Sequence, residues 1–241
     1  MKSNPIIIIL LATLLTACAT TGDNPKDPYE ERNRAVWEFN RSIDKAVLKP
    51  VAEGYQYITP DPVEAGVSNF FDNLGEISNI VNSLLQAKFG DAGKSTGRFL
   101  INSTIGLAGL LDPATEMGID EKDEDFGQTL AVWGFESGPF LMLPLIGPSN
   151  PRDGIGFAVD SFGVYSPYDS LNDSQTEWTL RSLWLIDTRA ELLPLEEQLE
   201  EALDEYLMVR DAYLQRREFL IYDGRPPIED ECEFEEDCEE W

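Results

Sequence analysis

Histidine is absent from this 241-residue chain, and cysteine and basic residues are scarce. Without histidine the chain cannot build a Ser-His-Asp or Cys-His nucleophile system, a His-ligated zinc site or a histidine proton shuttle. The chain has only 18 Lys and Arg residues but 45 Asp and Glu residues, which gives a formal net charge of −27 at pH 7. A surface this acidic repels nucleic acids, and we therefore expect no DNA or RNA partner.

The many carboxylates leave one enzyme class open, an acid hydrolase that uses a pair of Asp or Glu side chains. A chain with 45 acidic residues contains many such pairs by chance, and no spacing singles one out. The sequence therefore offers no catalytic residue, and it implies neither a metal ion nor a cofactor.

Outside the amino terminus, no uncharged run approaches the roughly 20 residues that a membrane-spanning helix needs. Ile6–Leu15 is apolar and follows the basic residue Lys2, but it is shorter than the roughly 20 residues that a membrane-spanning helix needs. This is the pattern of a bacterial signal peptide, so residues 1–17 are set apart from the folded domain.

The signal peptide ends in a sequence that resembles the bacterial lipobox. In Leu15-Thr16-Ala17-Cys18 an apolar residue lies three positions before a cysteine, with small residues between them. The resemblance implies cleavage before Cys18 and acylation of that residue, which adds roughly 0.8 kcal/mol of membrane affinity per buried CH₂. Ala19-Thr20 follows in place of an aspartate, a pattern that favours the outer membrane. The alternative is an ordinary signal peptide with a chance cysteine.

The other two cysteines, Cys232 and Cys238, lie in an acidic tail. Ile228–Trp241 holds nine acidic residues and no basic one. If the lipobox interpretation holds, the compartment is oxidising, and a disulfide between these cysteines is the prediction. Free thiols and an intermolecular bridge are the alternatives. The chain thus divides into a lipidated tether (18–26), a folded domain (27–224) and an acidic tail (225–241).

Helical spacing of apolar residues recurs through the folded domain. Asp27-Pro28-Tyr29-Glu30 predicts a helix start with Asp27 as the N-cap, and Pro50 is expected to end that helix. Its stripe mixes aromatic side chains with Asn33 and Asn40, so it either docks on a core with two satisfied amides or lies at a lipid–water boundary. Further helical patterns cover Val63–Lys88, Ser95–Leu111, Thr176–Leu193 and Leu195–Tyr222, the last ending at Gly224. No alternating strand pattern stands out, which predicts a mainly α fold.

The stretch Phe126–Gly154 fits neither the helical nor the strand period. Two uncharged arms, Leu130–Phe135 and Phe140–Ile146, flank Glu136-Ser137-Gly138-Pro139. Ser-Gly and Gly-Pro steps favour turns, so we expect the arms to double back as a hairpin. Arms without charge are either buried on all sides or in contact with lipid. The lipobox and the uncharged Phe99–Leu111 favour lipid.

Several motifs, in order, resemble the MlaA (VacJ) family of lipoproteins. They cover the chain from the lipobox to about Gly224, and the acidic tail lies outside the family pattern. The matching residues are Asp27-Pro28-Tyr29-Glu30 with Asn33-Arg34-Ala35, Ser68-Asn69-Phe70 with Asn73-Leu74, Arg98–Gly106, Phe126-Gly127-Gln128-Thr129-Leu130, Leu143-Pro144 with Gly147-Pro148-Ser149 and Arg152-Asp153-Gly154, Asp187-Thr188-Arg189-Ala190, and Tyr206–Phe219.

This resemblance implies a ring-like helical bundle embedded in one leaflet of the outer membrane, with a helical hairpin and a long C-terminal helix. It implies a channel that removes mislocalised phospholipids from the outer leaflet and passes them to a periplasmic carrier protein, usually beside trimeric porins and without catalysis. The alternative function is a membrane-tethered envelope scaffold that binds porins without moving lipid.

The resemblance and the polar residues within uncharged segments also suggest where headgroups bind. Hydroxyl, amide and guanidinium groups would line the channel, whereas the apolar residues face outward. The candidates are Arg98, Asn102, Ser103, Thr104, Gln128, Thr129 and Arg152. Ordinary hydrogen bonds inside helices, and ion pairs for the two arginines, are the structural alternatives. Gly134 and Gly138 match hairpin glycines beside the pore, with simple turn geometry as their alternative role.

Overall fold

The computed structural model describes residues 24–163 and 173–227, and within them it is mainly α-helical, as predicted. Cys18, Cys232 and Cys238 lie outside the described residues. The elements in chain order are α1 (Glu30–Ile43), a π-helical turn (Asp44–Leu48), α2 (Lys49–Ile58), α3 (Asp61–Leu85), α4 (Phe89–Thr104), α5 (Pro113–Glu116), α6 (Phe126–Val132), β1 (Leu141–Leu143), β2 (Gly147–Ser149), α7 (Pro151–Phe162), α8 (Ser174–Glu191), a 3₁₀ turn (Leu193–Leu195), α9 (Glu196–Glu200) and α10 (Glu205–Ile221).

The first helix starts later and continues further than the sequence predicted. Asp27 is not the N-cap, because α1 begins at Glu30 with Tyr29 in the cap position. The carboxylate of Asp27 is instead fully buried and accepts hydrogen bonds from Asn33 Nδ2 (2.8 Å) and the Tyr206 hydroxyl (2.5 Å). Pro50 does not end the helix either. The wider π-helical turn ahead of α2 accommodates a residue that has no N–H and whose ring would crowd a regular turn.

The predicted helical hairpin is wrong in its second arm. The first arm begins in α6, which ends at Val132, whereas Leu141–Leu143 is extended and pairs antiparallel with Gly147–Ser149. Pro144 disfavours a continuous helix through this arm, because proline removes a helical hydrogen bond. The left-handed conformations of Leu145 (φ +65°) and Gly147 (φ +100°) turn the chain back.

The carboxyl-terminal pattern is two helices, where the sequence predicted one over Leu195–Tyr222. Asp204 lies between α9 and α10 and accepts a hydrogen bond from Leu207 N–H (3.1 Å), so it caps α10. The end of α10 agrees with the prediction. Gly224 adopts a left-handed φ of +80°, and its N–H donates to Phe219 O (2.8 Å).

The apolar core is small and lies where the hairpin meets α1 and α10. Phe140, Met142 and Tyr206 are its buried members, and half-buried residues such as Trp37 and Tyr213 pack around them. The Phe140 ring makes edge-to-face contacts with both tyrosine rings. Over the described part of the chain, buried polar and charged side chains outnumber buried hydrophobic ones more than twofold. Within the same residues, no helix combines the length and the apolar character needed to cross a bilayer.

The hydrogen bond between Tyr206 and Asp27 gives a test of this core. We expect Tyr206→Phe to lower the free energy of unfolding by about 1.5–3 kcal/mol, since the buried Asp27 carboxylate loses a donor. Urea titration of the detergent-solubilised protein measures the change. Tyr57→Phe is the control, because Tyr57 is 92% exposed and its hydroxyl is expected to contribute less than about 0.5 kcal/mol. Equal stability of the two variants would contradict the assignment.

Candidate functional site

Large apolar side chains are exposed along much of the described chain, and two clusters among them lie in tight turns. The first is the turn after α4, residues 105–111, where Leu107 is 64% exposed. The second is the tip of the β hairpin, residues 144–146, where Leu145 is 68% exposed. We call these the helix turn and the hairpin tip. Trp133 and Phe135, on the chain between α6 and the hairpin, are exposed as well. Exposed apolar residues clustered in this way mark an interaction surface.

Both clusters present apolar side chains on unusual backbone. Leu107 (φ +57°), Ala108 (φ +62°) and Leu145 (φ +65°) adopt the left-handed conformation, which costs a non-glycine residue roughly 1–2 kcal/mol. The surrounding hydrogen bonds hold it in place. Ala108 N–H donates to Ser103 O (3.1 Å), and Leu145 N–H donates to Asn40 Oδ1 (2.8 Å). Such a conformation persists only where the surrounding structure imposes it, so the fold builds these exposed turns specifically.

The helix turn also depends on close packing at two glycines. A Cβ on Gly106 would lie 2.3 Å from Leu111 O, and one on Gly109 would lie 2.8 Å from Asn73 Cβ. Residues 99–111 are therefore not a single helix. The helix ends at Thr104, and the chain folds back tightly onto α3.

The inward face of α3 is polar. Asn73, Glu76, Asn79 and Asn82 are buried, whereas Leu84 near the end of the helix is exposed. Asn79 Oδ1 accepts from Glu124 N–H (3.0 Å), and Asn82 Oδ1 accepts from the Thr129 hydroxyl (2.9 Å). The interior is therefore held by hydrogen bonds between side chains and backbone, and much of the apolar surface of α3 is left for the outside.

Arg98 is the centre of this polar interior and is 2% exposed. Its Nε donates to Glu76 Oε1 (2.6 Å) and its Nη2 to Asp112 Oδ2 (3.0 Å), while Nη1 donates to Ile119 O (2.6 Å) and the Thr115 hydroxyl (2.9 Å). Burial lowers the pKa of Arg98, but these bonds outweigh burial and raise the pKa above its ordinary value. The guanidinium is thus a fixed charge, and the ion-pair alternative for this residue is confirmed.

The three polar residues at the end of α4 differ in their surroundings. Asn102 is buried, donates to Asp112 Oδ1 (2.9 Å) and accepts from Ala114 N–H (3.1 Å). The Ser103 hydroxyl accepts from Asn73 Nδ2 (3.0 Å). Thr104 is exposed, and its hydroxyl donates to Leu100 O (2.6 Å) within the helix. Asn102 and Ser103 therefore tie the helix turn to its neighbours, and Thr104 is open to solvent.

Gln128 and Thr129 lie buried on α6. Asp125 caps this helix by accepting from Gln128 N–H (2.7 Å), and Gln128 Nε2 donates to Asp123 O (2.7 Å). Thr129 bonds to Asn82 of α3, as described above. The Thr129 contact joins α6 to α3, whereas the Gln128 bonds stay at the start of α6. A role of either residue in headgroup binding stays a prediction.

Arg152 belongs to a cluster of charges at the start of α7. Its Nε donates to Asp153 Oδ1 (3.0 Å), and Asp153 also contacts Arg217 Nε (2.8 Å) and accepts from the Tyr213 hydroxyl (2.6 Å). Burial raises the pKa of Asp153, but the charge of Arg217 and the other partners outweigh burial and lower it. The cluster ties α7 to α10, and the ion-pair alternative for Arg152 is confirmed.

The predicted hairpin glycines lie between α6 and β1. Gly134 (φ +89°) and Gly138 (φ +70°) both adopt the left-handed conformation, where glycine carries no strain. A Cβ on Gly138 would approach the Pro151 ring to 3.1 Å, and one on Gly134 would meet nothing. Both glycines therefore have turn geometry, and control of access by them stays a prediction.

Asp72 and Glu121 form an electrostatic feature that the sequence did not reveal. They are 49 positions apart in the chain, so no spacing could connect them. Both reach solvent, yet surrounding protein disfavours their charge and raises the pKa of Asp72 to about 6 and that of Glu121 to about 7. Repulsion adds to this effect, from Glu191 on the first and from Asp72 on the second. The pair can therefore change charge near neutral pH.

The sequence of this chain matches one family of known proteins. A sequence model of the MlaA lipoprotein family matches residues 25–220. The chain belongs to the MlaA lipoprotein family. The match covers all the elements from α1 to the body of α10, including both apolar clusters.

Named relatives in the MlaA family extend the match over nearly the whole chain. The intermembrane phospholipid transport system lipoprotein MlaA of Haemophilus influenzae is 32% identical over 237 residues, covering 93% of each chain. The protein of the same name from Escherichia coli is 33% identical over 231 residues, covering 93% of this chain and 91% of its own. These relatives are named for phospholipid transport and not for an enzyme class.

A solved structure shares the fold. It is described as the structural basis for maintenance of bacterial outer membrane lipid asymmetry. It superposes with a TM-score of 0.69 at 33% sequence identity, covering 81% of this chain and 98% of its own. The arrangement of helices described above is therefore the arrangement of an MlaA protein.

The acidic pair predicts a pH dependence of stability. In the unfolded chain Asp and Glu lose their protons near pH 4. Between about pH 4.5 and 7 the folded protein therefore binds more protons than the unfolded chain, and the free energy of unfolding falls as the pH rises through this window. We expect the double variant Asp72→Asn, Glu121→Gln to flatten this fall. A shift of one pKa unit corresponds to ~1.4 kcal/mol of stability. The change in the free energy of unfolding is expected to be a fraction of this value, because solvent screens both groups.

Urea midpoints at pH 5 and pH 8 measure this difference in the wild type and the variant. Glu38→Gln, an exposed substitution on α1, is the control and should leave the pH dependence as it is. Parallel curves for the wild type and the double variant would show that the pair is not coupled to folding.

The apolar clusters predict direct membrane affinity. The substitution Cys18→Ser removes the predicted acylation site, so that the partition of this variant into phospholipid vesicles reports the protein surface. We expect Leu107→Asp and Leu145→Asp each to weaken that partition by about tenfold or more, since a charge within the apolar layer costs about 2.5–3.5 kcal/mol. Leu203→Asp is the control, because Leu203 is fully exposed in the turn between α9 and α10. Equal losses in all three variants would rule out a specific membrane-facing side.

Proposed function

We propose that this protein is the lipoprotein component of an intermembrane phospholipid transport system. It forms a channel that removes mislocalised phospholipids from the outer leaflet of the outer membrane and passes them on, which maintains lipid asymmetry. One observation carries the proposal: an MlaA-family chain encloses a polar interior, and its apolar side chains cluster outside.

The physics of a lipid environment supports this arrangement. Water is absent from the hydrocarbon layer, so each polar group of a protein at that depth needs a partner inside the protein. The network around Arg98 and the amides of α3 provide such partners. The helix turn and the hairpin tip then meet acyl chains without exposing charge. A polar interior next to an apolar exterior suits a molecule with a polar head and apolar tails.

Anchorage and partners complete the proposal. Membership in this lipoprotein family associates the chain with the envelope of a Gram-negative bacterium. Acyl chains on Cys18 would hold it at the inner side of the outer membrane, facing the periplasm. It would lie beside outer-membrane porin trimers, and a periplasmic lipid carrier protein would receive the phospholipid. The chemistry is transfer without bond making, so no catalytic residue or cofactor is needed.

The headgroup contacts belong to this proposal as well. Thr104, exposed at the end of α4, is the candidate that a headgroup could reach directly. Five candidates are buried, and a headgroup could contact them only after the hydrogen bonds described above rearrange. They are Arg98, Asn102, Gln128, Thr129 and Arg152. Ser103 is half-buried and lies between these cases. Gly134 and Gly138 are proposed to give the chain beside the hairpin its freedom to move.

The lipid content of the outer leaflet tests this function. We expect deletion of the gene to raise the fraction of phosphatidylethanolamine that a membrane-impermeant amine reagent labels on intact cells. The wild-type gene should restore the normal fraction, whereas Leu145→Asp should restore it only in part, because the hairpin tip would no longer enter lipid. Leu203→Asp should complement fully.

An unchanged outer leaflet after deletion would contradict transport. If porin trimers still co-purify with the protein in that case, the chain is instead an envelope scaffold that binds porins without moving lipid.

A further inference from the structure

Asn33 of α1 binds the backbone at the base of the hairpin. Its Nδ2 donates to Phe140 O (3.1 Å), and its Oδ1 accepts from Met142 N–H (2.9 Å). Asn33 is 4% exposed, and its amide is fixed on the other side by the Asp27 carboxylate. One side chain thus satisfies a carbonyl and an N–H two residues apart on an extended segment, as a neighbouring strand would.

Asn40 repeats this contact at the other end of the segment. It follows Asn33 by seven residues, about two turns of α-helix, and therefore lies on the same face of α1. Its Nδ2 donates to Leu143 O (2.9 Å), and its Oδ1 accepts from Leu145 N–H (2.8 Å). The second of these bonds holds the residue that turns the chain at the hairpin tip.

The hairpin needs the Asn33 bond to Met142 because β1 has an open edge at that residue. Met142 lies opposite Pro148 in the register, and proline has no N–H to donate. Their pairing is therefore not hydrogen-bonded, and the Met142 backbone points away from β2. In water, the backbone groups of an open edge form hydrogen bonds with solvent. In lipid, no solvent is present to bond with them. Amide side chains supply both a donor and an acceptor, which carboxylates and hydrocarbons do not.

We infer that Asn33 and Asn40 are positioning residues that hold the hairpin on α1 at the angle at which its tip enters lipid. Asn33 fixes the base of the hairpin and Asn40 fixes its tip. The inference rests on the proposed function, because that function places the tip in the membrane. It adds that the insertion depends on two side-chain amides of a different element and is not a property of the apolar sequence alone.

A depth-sensitive probe tests this role in the full-length lipoprotein. Ile146→Cys, in a background with Cys232→Ser and Cys238→Ser, carries an environment-sensitive fluorophore at the exposed tip. The protein is placed in vesicles of phosphatidylethanolamine and phosphatidylglycerol with brominated acyl chains, which quench a probe within the hydrocarbon. Asn40→Leu removes both hydrogen bonds and keeps the number and branching of the side-chain heavy atoms, and Asn40→Asp keeps only the acceptor. Ser42→Ala is the control, since its hydroxyl bonds to Glu38 O within α1.

We expect strong quenching in the wild-type background and in Ser42→Ala, partial loss with Asn40→Asp, and loss of most quenching with Asn40→Leu. Helical content from circular dichroism should stay the same, which separates a displaced tip from an unfolded protein. Wild-type quenching in a folded Asn40→Leu would overturn the inference. If that variant loses its helices, Asn40→Asp decides in the same way.

The two proposals fail separately. A probe that is not quenched even in the wild-type background overturns the positioning role, whatever the lipid assay on cells shows. Normal quenching and its loss in the variants, combined with an unchanged outer leaflet after gene deletion, would leave the positioning role and remove transport.

Discussion

The buried ion pair between Arg98 and Glu76 is the interaction on which the rest of the structure depends. Arg98 Nε lies 2.6 Å from Glu76 Oε1, and both side chains are almost fully buried. Arg98 also holds Asp112, Thr115 and the backbone at Ile119, so one side chain of α4 fixes the whole return of the chain after the helix turn. Removal of one partner from a buried pair leaves an uncompensated charge, at a cost of about 3–5 kcal/mol.

This constraint explains why the apolar residues face outward. The space between α3 and α4 is occupied by charges and amides that need each other, so the leucines of the same segments have no interior to enter. The Asp153 cluster acts similarly at the junction of α7 and α10, and the two asparagines of α1 do so at the hairpin. In each case protein replaces water as the hydrogen-bond partner. The apolar surface that results marks an interaction site.

The sequence predicted the helical class, the turn chemistry at Gly224 and the unusual character of the stretch from Phe126 to Gly154. These follow from local pattern, which a single sequence carries. It did not predict the burial of Asp27, because that carboxylate is stabilised by Tyr206, 179 positions away. Pro50 was predicted to end a helix, but proline is also tolerated within the first turn of one. Asp204 was placed inside a helix, but aspartate is equally suited to the N-cap position that it occupies. The hairpin's second arm was missed because three-residue strands are too short to show a period.

The candidate site shows the same division. Arg98, Asn102 and Thr129 were recognised as polar residues in apolar surroundings, but only the structure shows that each is engaged with another part of the chain. Asp72 and Glu121 could not be paired from sequence at all. Asn33 and Asn40 were visible as amides on an aromatic stripe, and both are satisfied, as the docked-helix alternative predicted. Their partners, the backbone atoms of an extended segment, leave no trace in the sequence.

Photo-crosslinking with a phospholipid that carries a reactive group at the end of one acyl chain tests the central claim most directly. The native lipoprotein is irradiated in bilayers that contain this lipid, and the crosslinked peptides are identified by mass spectrometry. An apolar exterior over a polar interior predicts crosslinks at the helix turn (105–111) and the hairpin tip (144–146), and none around Tyr57 or Leu203. Crosslinks spread evenly over all exposed apolar residues, or absent from both clusters, would contradict it.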